Sequence, residues 1–155
     1  MLCSKSTPSS NQGPFLSGDL DSIPWINLQD AYGKAEKVPE LIRVIQNSAD
    51  QQKLEAWDKF YAHVLHQGTV YSCTPFALSF ILDELSNLAD ELTLRIFCDI
   101  SELFEKPQPN SLYWQQSHRS LKERQDIFLS FIESQNSEVS EAAEDLLNLI
   151  DNHSI

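Results

Sequence analysis

Apolar residues recur along this chain with a helical rather than a strand period. Val38, Leu41, Ile42 and Ile45 fall three and four residues apart, with Pro39 in the first turn and Asn47-Ser48 ending the run. Leu54, Trp57, Tyr61, Val64 and Leu65 mark a second amphipathic helix, with Glu55 and Lys59 paired on its outer side. In the next segment Phe76, Phe80, Ile81, Leu85 and Leu88 line one side and Leu78 and Leu82 another. That helix is apolar over much of its circumference and is expected to be central. Leu92, Ile96, Phe97, Ile100, Leu103 and Phe104 then form a wide apolar face that leaves Glu91, Arg95, Asp99 and Glu102 as a charged stripe. Two more helices follow, one with Leu121, Ile127, Phe128, Phe131 and Ile132, the other with Val139, Ala142, Ala143, Leu146 and Ile150.

Punctuation residues separate these segments. Gly68 sits where a helix ending at His66 needs a left-handed residue, and Thr74 with Pro75 reads as the hydroxyl cap and first position of the next helix. Between them, His66, Gln67, Thr69 and Tyr71 form a corner motif. Its polar side chains can satisfy free helix-end groups or belong to a recognition surface. Pro107-Gln108-Pro109-Asn110-Ser111 interrupts the pattern, and the stretch as far as Ser117 reads as a long loop carrying Tyr113 and Trp114. A short helix or turn is expected around Trp25 to Tyr32. Residues 1–24, rich in Ser, Pro, Gly and Asn, read as a flexible or irregular arm with little order before Pro14.

The expected fold is therefore all-α, with no β-sheet and one domain over residues 25–155. The segments pair into three helical hairpins, Val38–His66, Pro75–Glu105 and Ser120–Asn152. About six or seven helices in about three such units reach the minimum at which a stack of repeats can bury its faces.

Charge narrows the partners. The chain has 11 Lys and Arg against 23 Asp and Glu, a formal net charge of −12. Phosphate-backbone binding needs a basic face, and the one basic concentration, Arg119, Lys122 and Arg124, is interleaved with Glu123 and Asp126, so direct nucleic-acid binding is excluded. From Glu133 onward there are acids at Glu133, Glu138, Glu141, Glu144, Asp145 and Asp151 and no Lys or Arg. Cys3, Cys73 and Cys98 are an odd set at irregular spacing. With no apolar leader at the N-terminus, they suit a reducing cytoplasm. No stretch approaches the roughly 18 apolar residues of a membrane span.

An ordered set of words carries a family resemblance: Trp25, Leu28, Ala31-Tyr32-Gly33, Ala35 and Val38-Pro39-Glu40-Leu41, then His66-Gln67-Gly68-Thr69-Val70-Tyr71 and Thr74-Pro75. From about Trp25 to about Leu85 the chain resembles a group of small bacterial HEAT-repeat-like proteins. The resemblance implies a curved α-solenoid of helix pairs that binds another macromolecule, and several such proteins are immunity partners of toxins. It implies no catalytic residues.

Enzymatic chemistry finds little support in the residues. His63, His66, Cys73 and Cys98 could be imagined as metal ligands, but the two histidines are three apart rather than four and no CxxC pair exists. Cys73 has no accompanying nucleophile motif, and Cys98 in Ile96-Phe97-Cys98 reads as a buried small hydrophobe. Asp83-Glu84 and Asp90-Glu91 read as solvated helix ends, the second pair complementing a helix dipole. Gly13, Gly18, Gly33 and Gly68 are too far apart for a phosphate-binding loop. The expectation is a protein that is not an enzyme and takes neither metal nor cofactor.

In a HEAT-like stack the second helix of each pair would line one concave surface. Glu55 and Asp58, then Glu91, Asp99 and Glu102, then Glu138, Glu141 and Asp145 would form an acidic groove for a basic protein partner. The reading that follows is an immunity protein that occludes a basic toxin domain, with a scaffold or regulatory adaptor for cellular proteins as the alternative.

Overall fold

The computed structural model describes residues 19–152. Among them are seven α-helices: α1 (Val38–Asn47), α2 (Asp50–Val64), α3 (Thr74–Glu84), α4 (Asp90–Phe104), α5 (Leu112–Lys122), α6 (Gln125–Ile132) and α7 (Ser137–Asn152). The mostly helical architecture agrees with the periodicity. Trp57, Phe80, Phe97, Phe128 and Leu146, the central positions of their apolar stripes, are all buried. The expectation of no sheet is corrected by one small antiparallel hairpin, β1 (Gln29–Asp30) and β2 (Gly33–Lys34). Two residues per strand are too few for a period-2 signal, so the sequence showed only a turn.

Helices pack in two rows. One holds α1, α3 and α5, and the other α2, α4 and α7, with α6 against α7. Side-chain bonds fix the direction of packing in the second row. Asp58 meets Arg95, Trp57 meets Asp99 and Tyr61 meets Glu102, so α2 and α4 ascend together with residue separations of 37, 42 and 41. Asn136 meets Asp90 at the start of α7 and α4, and Asn152 lines the same groove as Glu105 at their ends, so these two helices are parallel as well. The hairpin expected over Pro75–Glu105 is corrected: α3 lies against α5 and α1, whereas α4 lies against α7 and α2. The central helix is shared between neighbours in its own row, which its all-round burial from Thr74 to Leu82, with Phe76 the exception, requires.

Three boundaries also move. α2 stops at Val64, and His66–Gly68 is a separate 3-10 turn. Gly68 does take the left-handed conformation, with φ 79°, but so does its neighbour Gln67, with φ 53°. Thr74 is already inside α3 and does not cap it. Its hydroxyl accepts from Tyr71 N–H at 2.8 Å and donates to the Val64 carbonyl at 2.8 Å, stapling the corner to the end of α2. The stretch from Leu112 to Ser117 is the start of α5 rather than a loop, capped by the Ser111 hydroxyl, which accepts from Trp114 N–H at 3.2 Å. Trp114 is buried against Phe104 and His118, while Tyr113 is exposed. The last hairpin starts later than expected: the chain breaks at Glu123-Arg124, and α6 packs with α7.

The end of the arm belongs to the fold. Leu20 is buried, its carbonyl accepts from Trp25 Nε1 at 2.9 Å, and Asp21 pairs with Arg43 on α1. The remainder of the arm, residues 1–18, lies outside the described residues.

Candidate partner-binding face

The second row presents the predicted acids, and the structure sorts them into two kinds. Asp99 is half-buried on α4. Its Oδ2 accepts from the Trp57 indole at 2.7 Å, and burial holds its carboxyl above the usual range, with Glu102 and Asp58 adding to the rise and Trp57 and Arg95 opposing it. Glu102 accepts from the Tyr61 hydroxyl at 2.5 Å, which together with burial and the Glu102 charge lifts the phenol to about 12. Asp58 is paired with Arg95. These three acids also join α2 to α4, Asp58 and Glu102 while remaining exposed and Asp99 half-buried.

The other five, Glu55, Glu91, Glu138, Glu141 and Asp145, are exposed. Glu138 and Asp145 sit close enough to α4 that their charge, after burial and Asp99, raises the pKa of the Cys98 thiol. Cys98 is exposed rather than buried, because it lies on the α7 side of α4 beside a groove lined by Ser101, Glu105, Ala142, Asp145 and Leu149. Glu91 flanks a smaller depression with Asp50, Leu54 and Leu92 between the starts of α2 and α4. Glu55 accepts from its neighbour Gln51 on α2. Asp58, Asp99 and Glu102 are thus brought together, Glu138 and Asp145 adjoin them across α4 with Glu141 between them on the same face of α7, and Glu91 lies at the start of α4.

The corner motif meets this face. Gln67 and Gly68 line a cavity of about 760 Å³, together with Tyr61, Glu102, Glu105, Lys106 and Gln108. Gln108 Nε2 donates to the Gly68 carbonyl at 3.2 Å, so the segment after α4 braces the corner. His66 and Tyr71 are half-buried, Thr69 is exposed, and Val70 packs inward. Burial, with smaller contributions from Asp30 and Cys73, raises the Tyr71 phenol.

A cluster of residues distant in the chain lies behind the corner. Asp30, at the end of β1, is buried. Its Oδ2 faces His63 Nδ1 at 2.8 Å and its Oδ1 accepts from Tyr32 N–H at 2.8 Å. Ala31 N–H donates to the His63 carbonyl and Cys73 N–H to the Gln29 carbonyl, so the hairpin is clamped between α2 and α3. Burial, with the Asp30 charge behind it, pushes the Cys73 thiol to about 12. The stretch from Trp25 to Tyr32 reads as a short helix or turn, but the partner of Asp30, His63, lies 33 residues away and nothing local announces it.

Comparison of the chain with protein-family models, with curated proteins and with solved structures finds no match. Among the described residues no group of three or more His, Cys, Asp or Glu is arranged to hold a metal ion, and no helix is long and apolar enough to cross a membrane.

Proposed function

We propose that the chain is a non-enzymatic binding protein of the HEAT-like solenoid kind, acting in the cytoplasm, and that the α2–α4–α7 face recognises a basic protein. The observation that carries this reading is the parallel row itself. Three helices adjacent in the row expose acids at residue separations of 37 to 42 between α2 and α4 and 46 between α4 and α7, near the roughly 40–47-residue repeat of HEAT and armadillo units, and a groove runs between α4 and α7. Neighbouring carboxylates of one sign focus the field outward and steer a cationic partner. The resemblance carried by Trp25 to Leu85 makes the concrete partner a basic toxin domain and the protein its immunity factor. A scaffold for cellular proteins would use the same face.

The deciding experiment is capture of a stoichiometric partner from the native cell, followed by titration of the purified complex. Reversing Glu141 and Asp145 to Lys, both exposed and away from the first turn of α7, should weaken binding while melting stays unchanged. Affinity should also fall with salt. A complex indifferent to the reversals and to salt removes the acidic face as the recognition surface.

A further inference from the structure

The arginines of this acidic chain are mostly spoken for: Arg43 pairs with Asp21, Arg95 with Asp58 and the buried Arg124 with Asp83. Asp30 in turn pairs with His63, and the Glu55–Lys59 pairing expected on α2 is not formed, Glu55 accepting from Gln51 instead. Lys37, just before α1, and Lys59, on α2, have no carboxylate partner among the described residues. Both line the same shallow cavity, of about 470 Å³, whose remaining walls are Tyr32, Ala62 and His63.

Each wall contributes something that a solvated lysine pair would lack. Tyr32 stands at the tip of the β1–β2 turn, 67% exposed, with its ring edge-on to His63 at 4.8 Å between centroids. The imidazole is held through Nδ1 by Asp30, a carboxylate whose side chain is only 1% exposed, and Nε2 makes no hydrogen bond among the described residues. Fixing one ring nitrogen fixes where the other points. The pocket therefore combines two unpaired ammonium groups, one oriented imidazole nitrogen and one exposed aromatic ring, on the side of α2 next to the acidic face.

We propose that this pocket binds a phosphoryl dianion, with Lys37 and Lys59 supplying the charge, His63 as the imidazolium, its Nδ1–H on Asp30, donating one directional hydrogen bond from Nε2, and Tyr32 a wall for an attached ring. Two cations suit a dianion better than a monoanionic carboxylate, and the hairpin that presents Tyr32 is anchored at four points, so the wall is preformed. The inference is independent of the acidic face: neither the pocket nor its ligand requires a basic partner.

The test is titration of the full chain with inorganic phosphate and, separately, with phenyl phosphate, followed through the ring resonances of Tyr32 and His63, with acetate at matched ionic strength as control. Saturable shifts with the phosphates and not with acetate are expected. Lys37→Gln with Lys59→Gln should weaken binding at least tenfold, whereas the charge-matched pair Lys106→Gln with Arg119→Gln should leave it unchanged. Tighter binding of phenyl phosphate assigns the pocket to phosphoryl groups carried on a ring, and equal binding to the free ion. Circular dichroism checks that the variants, all at exposed positions, stay folded. An equal response to acetate, no saturable shift with either phosphate, or undiminished binding in the Lys37/Lys59 variant overturns the proposal.

Discussion

The indole nitrogen of Trp57 donates to the carboxylate of Asp99 across 2.7 Å, joining two helices that are 42 residues apart in the chain. Trp57 is fully buried, so its N–H has no solvent to turn to, and Asp99 is drawn half out of water to receive it. Removing either side should be felt in stability. Trp57→Phe should cost on the order of 1–3 kcal/mol by leaving the acceptor short of a donor. Asp99→Asn should be milder, because the amide oxygen still accepts. Asp99→Lys should be the most damaging of the three, since it sets an ammonium against the indole N–H. Denaturant midpoints rank them, and an Asp99→Lys variant as stable as the parent would dismiss the bond as incidental.

The same carboxyl sets an acid-side pH dependence. Burial holds Asp99 above its ordinary 3.8, so the native state keeps this proton after the unfolded chain has lost it. By linkage its contribution to stability is fully present below 3.8 and is lost as pH rises through the raised native value. Asp99→Asn should flatten that slope in an unfolding series across the carboxylate range.

At the alkaline end Tyr61 should titrate late. Its hydroxyl is committed to Glu102, and that bond, burial and the carboxylate charge take it from 10.0 to about 12. The native state then holds a proton that the unfolded chain releases, so its stabilising share is complete below 10.0 and disappears on approach to about 12. Phenolate absorbance of the folded protein should show a high step that Tyr61→Phe abolishes.

Backbone strain at the corner predicts opposite effects at adjacent positions. Gln67 is held at φ 53° and Gly68 at φ 79°, with no heavy atom within 4 Å of where a Gly68 Cβ would stand. Gly68→Ala should thus cost only the conformational penalty, about 1 kcal/mol, with Gly68→Val costing more, and Gln67→Gly should return a similar amount. Thermal melts decide. Equal stability for Gly68→Val would mean that the turn relaxes freely.

Thiol reactivity should divide by position. In a Cys3→Ser background, a thiol-exchange reagent should label Cys98 in the native protein, more slowly than a free thiol because its pKa is raised, and should reach Cys73 only on unfolding. Labelling of Cys73 at the same rate as Cys98 would contradict its burial.

Much of the helical order was legible because α1, α2, α4 and α7 each repeat apolar residues at 3.6-residue spacing over at least two turns. What escaped did so for identifiable reasons. α5 buries Ser117, His118 and Ser120 along with Trp114 and Leu121, so polar residues stand on its inner face and the period vanishes from the sequence. Cys98 follows two buried residues yet points outward, since neighbours on a helix lie about 100° apart. The acids on α2, α4 and α7 could be placed on helices in advance. Which of them bond across the row could not, because that depends on Trp57 and Tyr61 lying opposite Asp99 and Glu102 in three dimensions. The Asp30–His63 pair was hidden for the same reason.

The α2–α4–α7 row is held by two unlike seams. Between α2 and α4 the joins are polar: an indole on a carboxylate, a phenol on a carboxylate and an ion pair. On the other flank of α4, Phe97 packs edge-on against Phe128 and Phe131 of α6, and α7 turns Val139, Ala143, Leu146 and Ile150 inward. Apolar contact weakens on cooling, whereas hydrogen-bonded carboxylates answer to pH and salt. Cold should therefore loosen the C-terminal half first, and alkali or brine the N-terminal half, so one small domain carries two separate points of failure addressed by different solvents.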